Sequence, residues 1–205
     1  MNPFHRILEI TILIILPLLI LYTKSKWSTK EIIFNAIVLP LIWYITYAPI
    51  HELGHVIGCK IVGLEINDYQ LFTRFWEGSF GFAFVDIKEG YGENIESFIV
   101  LIMPYLIDFF FLIIGFIVVY KNKFKVKNSF LFGLTFLFFV LRSNYDLLDN
   151  YIGYFFNHSD FVLAGKIVGN LNILIFIVLS LIIGFSLTLL IIKKYIFYPS
   201  AAINN

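Results

Sequence analysis

Charge is scarce in this sequence. Asp, Glu, Lys and Arg supply 14% of its 205 residues, against about a quarter in an ordinary soluble domain. The 15 basic and 14 acidic side chains nearly cancel, for a net charge of +1, which excludes the basic footprint that nucleic-acid binding requires. Cys59 is the single cysteine, so no intrachain disulfide can form and the redox compartment is left open. Internal repeats, low-complexity linkers and a composition shift that would mark a second domain are also lacking. What the chain has instead is apolar bulk: 60% hydrophobic residues, 24 of them Phe, and a mean hydropathy of +0.86. A disordered chain, a disulfide-stapled secreted module and a conventional soluble domain are all excluded, and an integral membrane protein is implied.

A hydrocarbon core about 30 Å thick needs roughly 20 apolar residues in a helix. Five runs approach that length. The first, about Ile7 to Tyr22, is short and contains Glu9 and Pro17; a signal peptide competes with it, but no small-residue cleavage site follows. The second runs from Ile32 through Pro40 and Pro49 to about Val62. The third covers about Glu96 to Tyr120 with Pro104 and Asp108 inside it. The fourth starts near Ser129, stays apolar to Leu141 and turns polar at Arg142–Asp146, and the fifth covers about Leu171 to Ile192. Between the second and third runs, residues 67–90 have strand character. Phe72–Trp76, a Glu77-Gly78-Ser79 turn and Phe80–Asp86 read as a β-hairpin whose aromatic content places it against the bilayer. The expected fold is therefore an α-helical polytopic membrane protein, one membrane-embedded domain over residues 1–205. It has about five transmembrane helices, a membrane-associated β-hairpin between the second and third, and a loose tail from Tyr198. Lysines cluster at Lys24, Lys26 and Lys30, at Lys121–Lys127, and at Lys193–Lys194. Five spans put all three clusters on one side, cytoplasmic by the positive-inside rule, with the N-terminus opposite.

His51-Glu52-Leu53-Gly54-His55 is an H-E-x-x-H pattern. Residues four apart share one face of a helix, so both imidazoles can hold one Zn²⁺ while Glu52 stands beside it, placed to take a proton from water. An exposed, solvated helix face is excluded as the explanation, because the motif continues an apolar run from Ile32 to Ile50. Three ionisable groups at the end of a membrane helix are expensive unless paired, metal-bound or open to a water-filled cavity. Two histidines leave a catalytic zinc site one protein ligand short. His5 and His158 lie at the N-terminus and in the last loop, while Asp108, Asp146, Asp149 and Asp160 lie in or near later segments. Asp146 sits deep in a membrane segment, Asp149 can face water with Asn150, and Ser159-Asp160 can be an ordinary helix N-cap. Asp108 can line a cavity or bond to a neighbouring helix.

Ala48-Pro49-Ile50-His51-Glu52-Leu53-Gly54-His55-Val56-Ile57-Gly58, followed by Lys-Ile-Val-Gly, resembles the active-site helix of the site-2 protease family of intramembrane zinc metalloproteases. The resemblance covers roughly Ile32 to Ile192, sharply only at H-E-x-x-H; the rest matches by order and spacing. It implies a membrane-associated hairpin after the motif and an Asp on a later helix as third ligand. The family's usual Leu-Asp-Gly is missing here. Shorter bacterial relatives carry Arg-x-Asn at a helix end and Ser-Asp opening the next. Arg142-Ser143-Asn144 and Ser159-Asp160 match those patterns. The resemblance thus implies Asp160 as third ligand, with Asp146 as its rival, and Asn144 as a polar residue that touches substrate. It further implies a multi-pass protein of a bacterial-type cell membrane acting on membrane proteins or membrane peptides.

Peptide-bond hydrolysis in or beside the bilayer is the leading expectation, with His51, His55 and an Asp on zinc and Glu52 as base. A second reading is a membrane metal-binding scaffold that keeps the motif without hydrolysing anything, and a third is a cation or proton relay through His51, Glu52 and Asp108. Catalysis requires a carboxylate converging on both imidazoles, whereas a relay strings its polar groups across the bilayer.

Overall fold

The computed structural model describes residues 10–23, 27–72, 83–88, 90–120, 129–157 and 159–197. A π-helical turn, Thr11–Ile15, leads into α1 (Leu16–Thr23), and α2 covers Thr29–Val62. Strands β1 (Ile66–Gln70) and β2 (Phe84–Ile87) follow, then α3 (Ile95–Tyr120). Helix α4 (Ser129–Phe136) continues through a second π turn, Leu137–Leu141, into α5 (Arg142–Phe155); α6 is Asp160–Val168 and α7 is Asn170–Phe197. Four stretches are long and apolar enough to cross a bilayer: Thr29–Val62, Ile95–Tyr120, Ser129–Phe155 and Asn170–Lys194. The chain is a helical, multi-pass membrane protein.

Four of the five expected crossings are long apolar helices among the described residues, while the first expected run, Ile7 to Tyr22, begins outside them. The apolar helix there is Thr11–Ile20, roughly 15 Å long at 1.5 Å per residue, about half the hydrocarbon thickness. The four long spans by themselves return Lys194 to the side of Lys30.

The boundaries of α2 follow from local chemistry. Glu31 Oε2 accepts from the Ser28 backbone N–H at 2.9 Å and the Ser28 hydroxyl at 2.8 Å, while Ser28 Oγ accepts from the Glu31 N–H at 3.3 Å. This is a reciprocal capping box. At the other end Gly63 adopts φ 77°, and the Leu64 N–H reaches back to the Cys59 carbonyl at 3.0 Å, the Schellman closure that a residue without Cβ permits.

The strands are antiparallel, with Ile66 opposite Ile87 and Gln70 opposite Phe84. The first strand precedes Phe72, while the rest of the expected Phe72–Trp76 strand and the turn at Glu77–Ser79 fall outside the described residues. The aliphatic period decides this register rather than the aromatic run. Val85 and Ile87 turn inward onto Cys59 and Val100, with Ile66, Val56 and Tyr91 around them, while Phe84 and Asp86 face out.

The chain divides into two compact units: Met1–Trp43 with Asp108–Tyr145 and Ile182–Asn205, and Tyr44–Ile107 with Asp146–Leu181. In the first, polar groups in apolar helices find partners on other helices. Tyr22 donates to the Ser129 carbonyl at 2.8 Å, and Asn35 Nδ2 to Ser129 Oγ at 3.1 Å. Asp108 and Arg142 form a buried ion pair, which answers the expectation that Asp108 lines a cavity or bonds to a neighbouring helix in favour of the second.

The second unit is built on close helix approach. A Cβ placed on Gly54 would stand 2.6 Å from Pro104 Cα, and one on Gly58 2.8 Å from Val100 Cα. Backbone at such range cannot yield as a flexible side chain does. Gly54→Ala is therefore expected to destabilise the folded chain by about 1–3 kcal/mol, read as a lower thermal midpoint by circular dichroism in detergent. A surface glycine with open space around it, Gly63, isolates the separate cost of positive φ.

Candidate metal centre

All the groups of the candidate centre lie in the second unit. Along α2, Tyr47, His51 and His55 recur at intervals of four and so share one stripe of the helix. Asp160 is the first residue of α6. Its predecessor Ser159 is extended and makes no side-chain cap hydrogen bond, so the helix start is not the ordinary Ser cap. The Asp160 carboxylate turns instead to the two histidines: Oδ2 stands 3.3 Å from His51 Nε2 and 3.3 Å from His55 Nε2.

Those two distances discriminate between chemistries. A histidine–carboxylate ion pair closes to about 2.7–2.9 Å. Ligand atoms held about 2.0–2.1 Å from a tetrahedral Zn²⁺ stand roughly 3.3 Å from one another. His51, His55 and Asp160 form a group whose donor atoms lie within 4.8 Å of each other and which could hold a metal ion. Asp160 is the most exposed of the three, at 23% of its side chain against 11% for His51 and 5% for His55, so the group opens on the Asp160 side.

The far ring nitrogens fix which tautomer each histidine presents. His55 Nδ1 is 2.9 Å from the Val100 carbonyl oxygen. A carbonyl can only accept, so Nδ1 carries a proton and Nε2 is the nitrogen left to face Asp160. His51 Nδ1 donates to Asp146 Oδ2 at 2.8 Å. Asp146 is itself held through Oδ1, which accepts from the Tyr47 hydroxyl at 3.0 Å and Asn150 Nδ2 at 3.2 Å. Both imidazoles are thus oriented with Nε2 inward, as metal-ligating histidines commonly are.

The two rival aspartates therefore occupy opposite nitrogens of the same ring: Asp160 faces Nε2 and Asp146 faces Nδ1. Asn150 gives its amide to Asp146 rather than facing water with Asp149. Glu52, partly buried, accepts no hydrogen bond among the described residues and so keeps its carboxylate free for a proton. Burial opposes ionisation of Asp160, but His55 and His51 in their protonated forms overcome it and hold the carboxyl well below the usual range.

Asn144, in the first unit, donates Nδ2 to Thr188 Oγ1 at 2.6 Å and more weakly to the Gly184 carbonyl at 3.5 Å. Donation to a substrate requires that bond to open. His5 and His158 lie outside the described residues.

Two residues at this centre carried no motif. Tyr105 donates its hydroxyl to Asp160 Oδ2 at 2.7 Å. Burial, aided by the Asp160 and Glu52 charges, pushes the Tyr91 phenol well above its usual range. The available signal was a phenol in an apolar run beside Pro104, since a tyrosine hydroxyl in hydrocarbon needs a partner.

No family model matches the sequence, and no match is found among the curated proteins or the solved structures.

Proposed function

We propose that this chain is an intramembrane zinc metalloprotease of the site-2 protease type, hydrolysing peptide bonds in or beside the transmembrane segments of membrane proteins. The observation that carries the reading is the convergence of His51 Nε2 and His55 Nε2, both on the membrane helix α2, with Asp160 Oδ2 at the start of α6, both far ring nitrogens being already engaged. Asp146 serves in this reading as the partner that orients His51, and Asp160 as third ligand.

Zinc in this group would supply Lewis-acid polarisation of the scissile carbonyl and make water more acidic. Glu52 takes the proton of the attacking water on its carboxylate and returns it to the leaving amine nitrogen. His51 and His55 keep Nε2 directed inward because Asp146 and the Val100 carbonyl hold Nδ1. A substrate helix has its backbone amides locked and must unwind before attack; the edge of the β1–β2 sheet can hold the unwound stretch by strand addition. A proton relay through Asp108 loses its support, because that carboxylate is paired with Arg142.

Metal analysis of detergent-purified protein tests the reading. About one zinc per chain is expected in the wild type and none in Asp160→Ala. Asp146→Ala should retain the metal with roughly 10–100-fold weaker affinity, the usual effect of removing a partner that orients a ligand. Zinc absent from the wild type after refilling, or lost only in Asp146→Ala, would overturn the ligand assignment. Stoichiometric zinc without hydrolysis of any membrane peptide would leave the scaffold reading.

A further inference from the structure

We infer that Tyr105 is a positioning residue for the metal-holding group, its hydroxyl selecting which oxygen of Asp160 faces the two imidazoles. The inference rests on the reading that His51, His55 and Asp160 bind a metal. Among the described residues, three groups meet a single atom, Asp160 Oδ2: the two Nε2 atoms at 3.3 Å and the Tyr105 hydroxyl at 2.7 Å. A carboxylate only accepts, so the phenol is the donor. It restrains the side-chain rotation of Asp160.

That constraint is needed because the start of α6 offers little else. Ser159 makes no side-chain cap hydrogen bond, and its hydroxyl finds no partner among the described residues. The next residue, Phe161, lies against the Tyr105 ring with centroids 4.2 Å apart, and the same ring meets His51 edge-on at 5.5 Å. One side chain on α3 therefore touches His51 on α2 through its ring and Asp160 on α6 through its oxygen. Removing the oxygen alone keeps the ring contacts and frees the carboxylate to rotate.

The test is zinc affinity of the full chain in detergent, measured by competition with a chromophoric chelator, for wild type and Tyr105→Phe. The cobalt-substituted proteins are compared by their visible spectra. Tyr105→Phe is expected to bind roughly 10–100-fold more weakly and to shift the cobalt bands, while circular dichroism shows an unchanged helical fold. Tyr105→Met, which also lacks the hydroxyl, replaces it should the Phe variant not fold. A folded variant without the hydroxyl that binds zinc as tightly as the wild type, with the same cobalt spectrum, overturns the role of Tyr105 and leaves the metal site standing. A wild type that binds neither ion overturns both readings together.

Discussion

Glu52→Gln is expected to abolish peptide hydrolysis while leaving the metal in place. A positioned general base contributes about 10²–10⁴-fold to such a reaction, and Gln is nearly isosteric with Glu but cannot take a proton. The separation of the two effects comes from the geometry: the atoms that converge are His51 Nε2, His55 Nε2 and Asp160 Oδ2, and Glu52 is not one of them. Zinc content, near-native in Glu52→Gln, and cleavage of a membrane-peptide library, lost in it, are the two readouts. Hydrolysis retained within tenfold of the wild type would remove Glu52 as the base. Zinc lost along with activity would instead make Glu52 a ligand and require a different assignment for Asp160. The same variant separates the protease reading from the scaffold reading, since a scaffold loses nothing on the substitution.

The sequence made one half of this centre legible and left the other half to resemblance, for a physical reason. The His51–His55 spacing is a helical repeat, so a local pattern shows two imidazoles on one face. The third ligand lies more than a hundred residues on, where no periodicity links it to the motif. Both Asp146 and Asp160 reach His51, one at each ring nitrogen; counting residues could not say which nitrogen is which. The carbonyl at Val100 that fixes the His55 tautomer is backbone and carries no sequence signature. Long apolar runs located three of the four spans within a few residues and the start of the other, which continues past the polar turn at Arg142 to Phe155. Of the first run, the apolar helix Thr11–Ile20 is described, and its expected start at Ile7 lies outside the described residues. Of the expected hairpin, the described ladder pairs Ile66–Gln70 with Phe84–Ile87 and follows the inward pair Val85 and Ile87, and residues 73–82 lie outside the described ones.

The buried ion pair of the first unit should produce the largest stability effect of any single substitution outside the metal group. Asp108 and Arg142 are each about 1% exposed, and the pair is reinforced unevenly. Arg142 Nε makes a long bond to the Phe138 carbonyl at 3.4 Å, and its guanidinium lies 5.8 Å from the Phe111 ring centroid. The Arg142 backbone N–H meanwhile reaches the Leu137 carbonyl across the π turn. Arg142 Nη1 finds no hydrogen-bond partner among the described residues, which costs desolvation without return. Breaking the pair by Asp108→Leu or Arg142→Met leaves one uncompensated charge in an apolar setting, expected to cost about 3–5 kcal/mol. Replacing both removes the stranded charge and the orphaned Nη1 together, so the double variant is expected to be far more stable than the two losses added. Chemical unfolding of the four proteins in detergent, treated as a double-mutant cycle, measures the coupling directly. Additive losses would mean that the two side chains matter for their separate packing, against Phe111 for Arg142, and not as an ion pair. Strong coupling would establish that Asp108 and Arg142 stabilise the first unit as a pair.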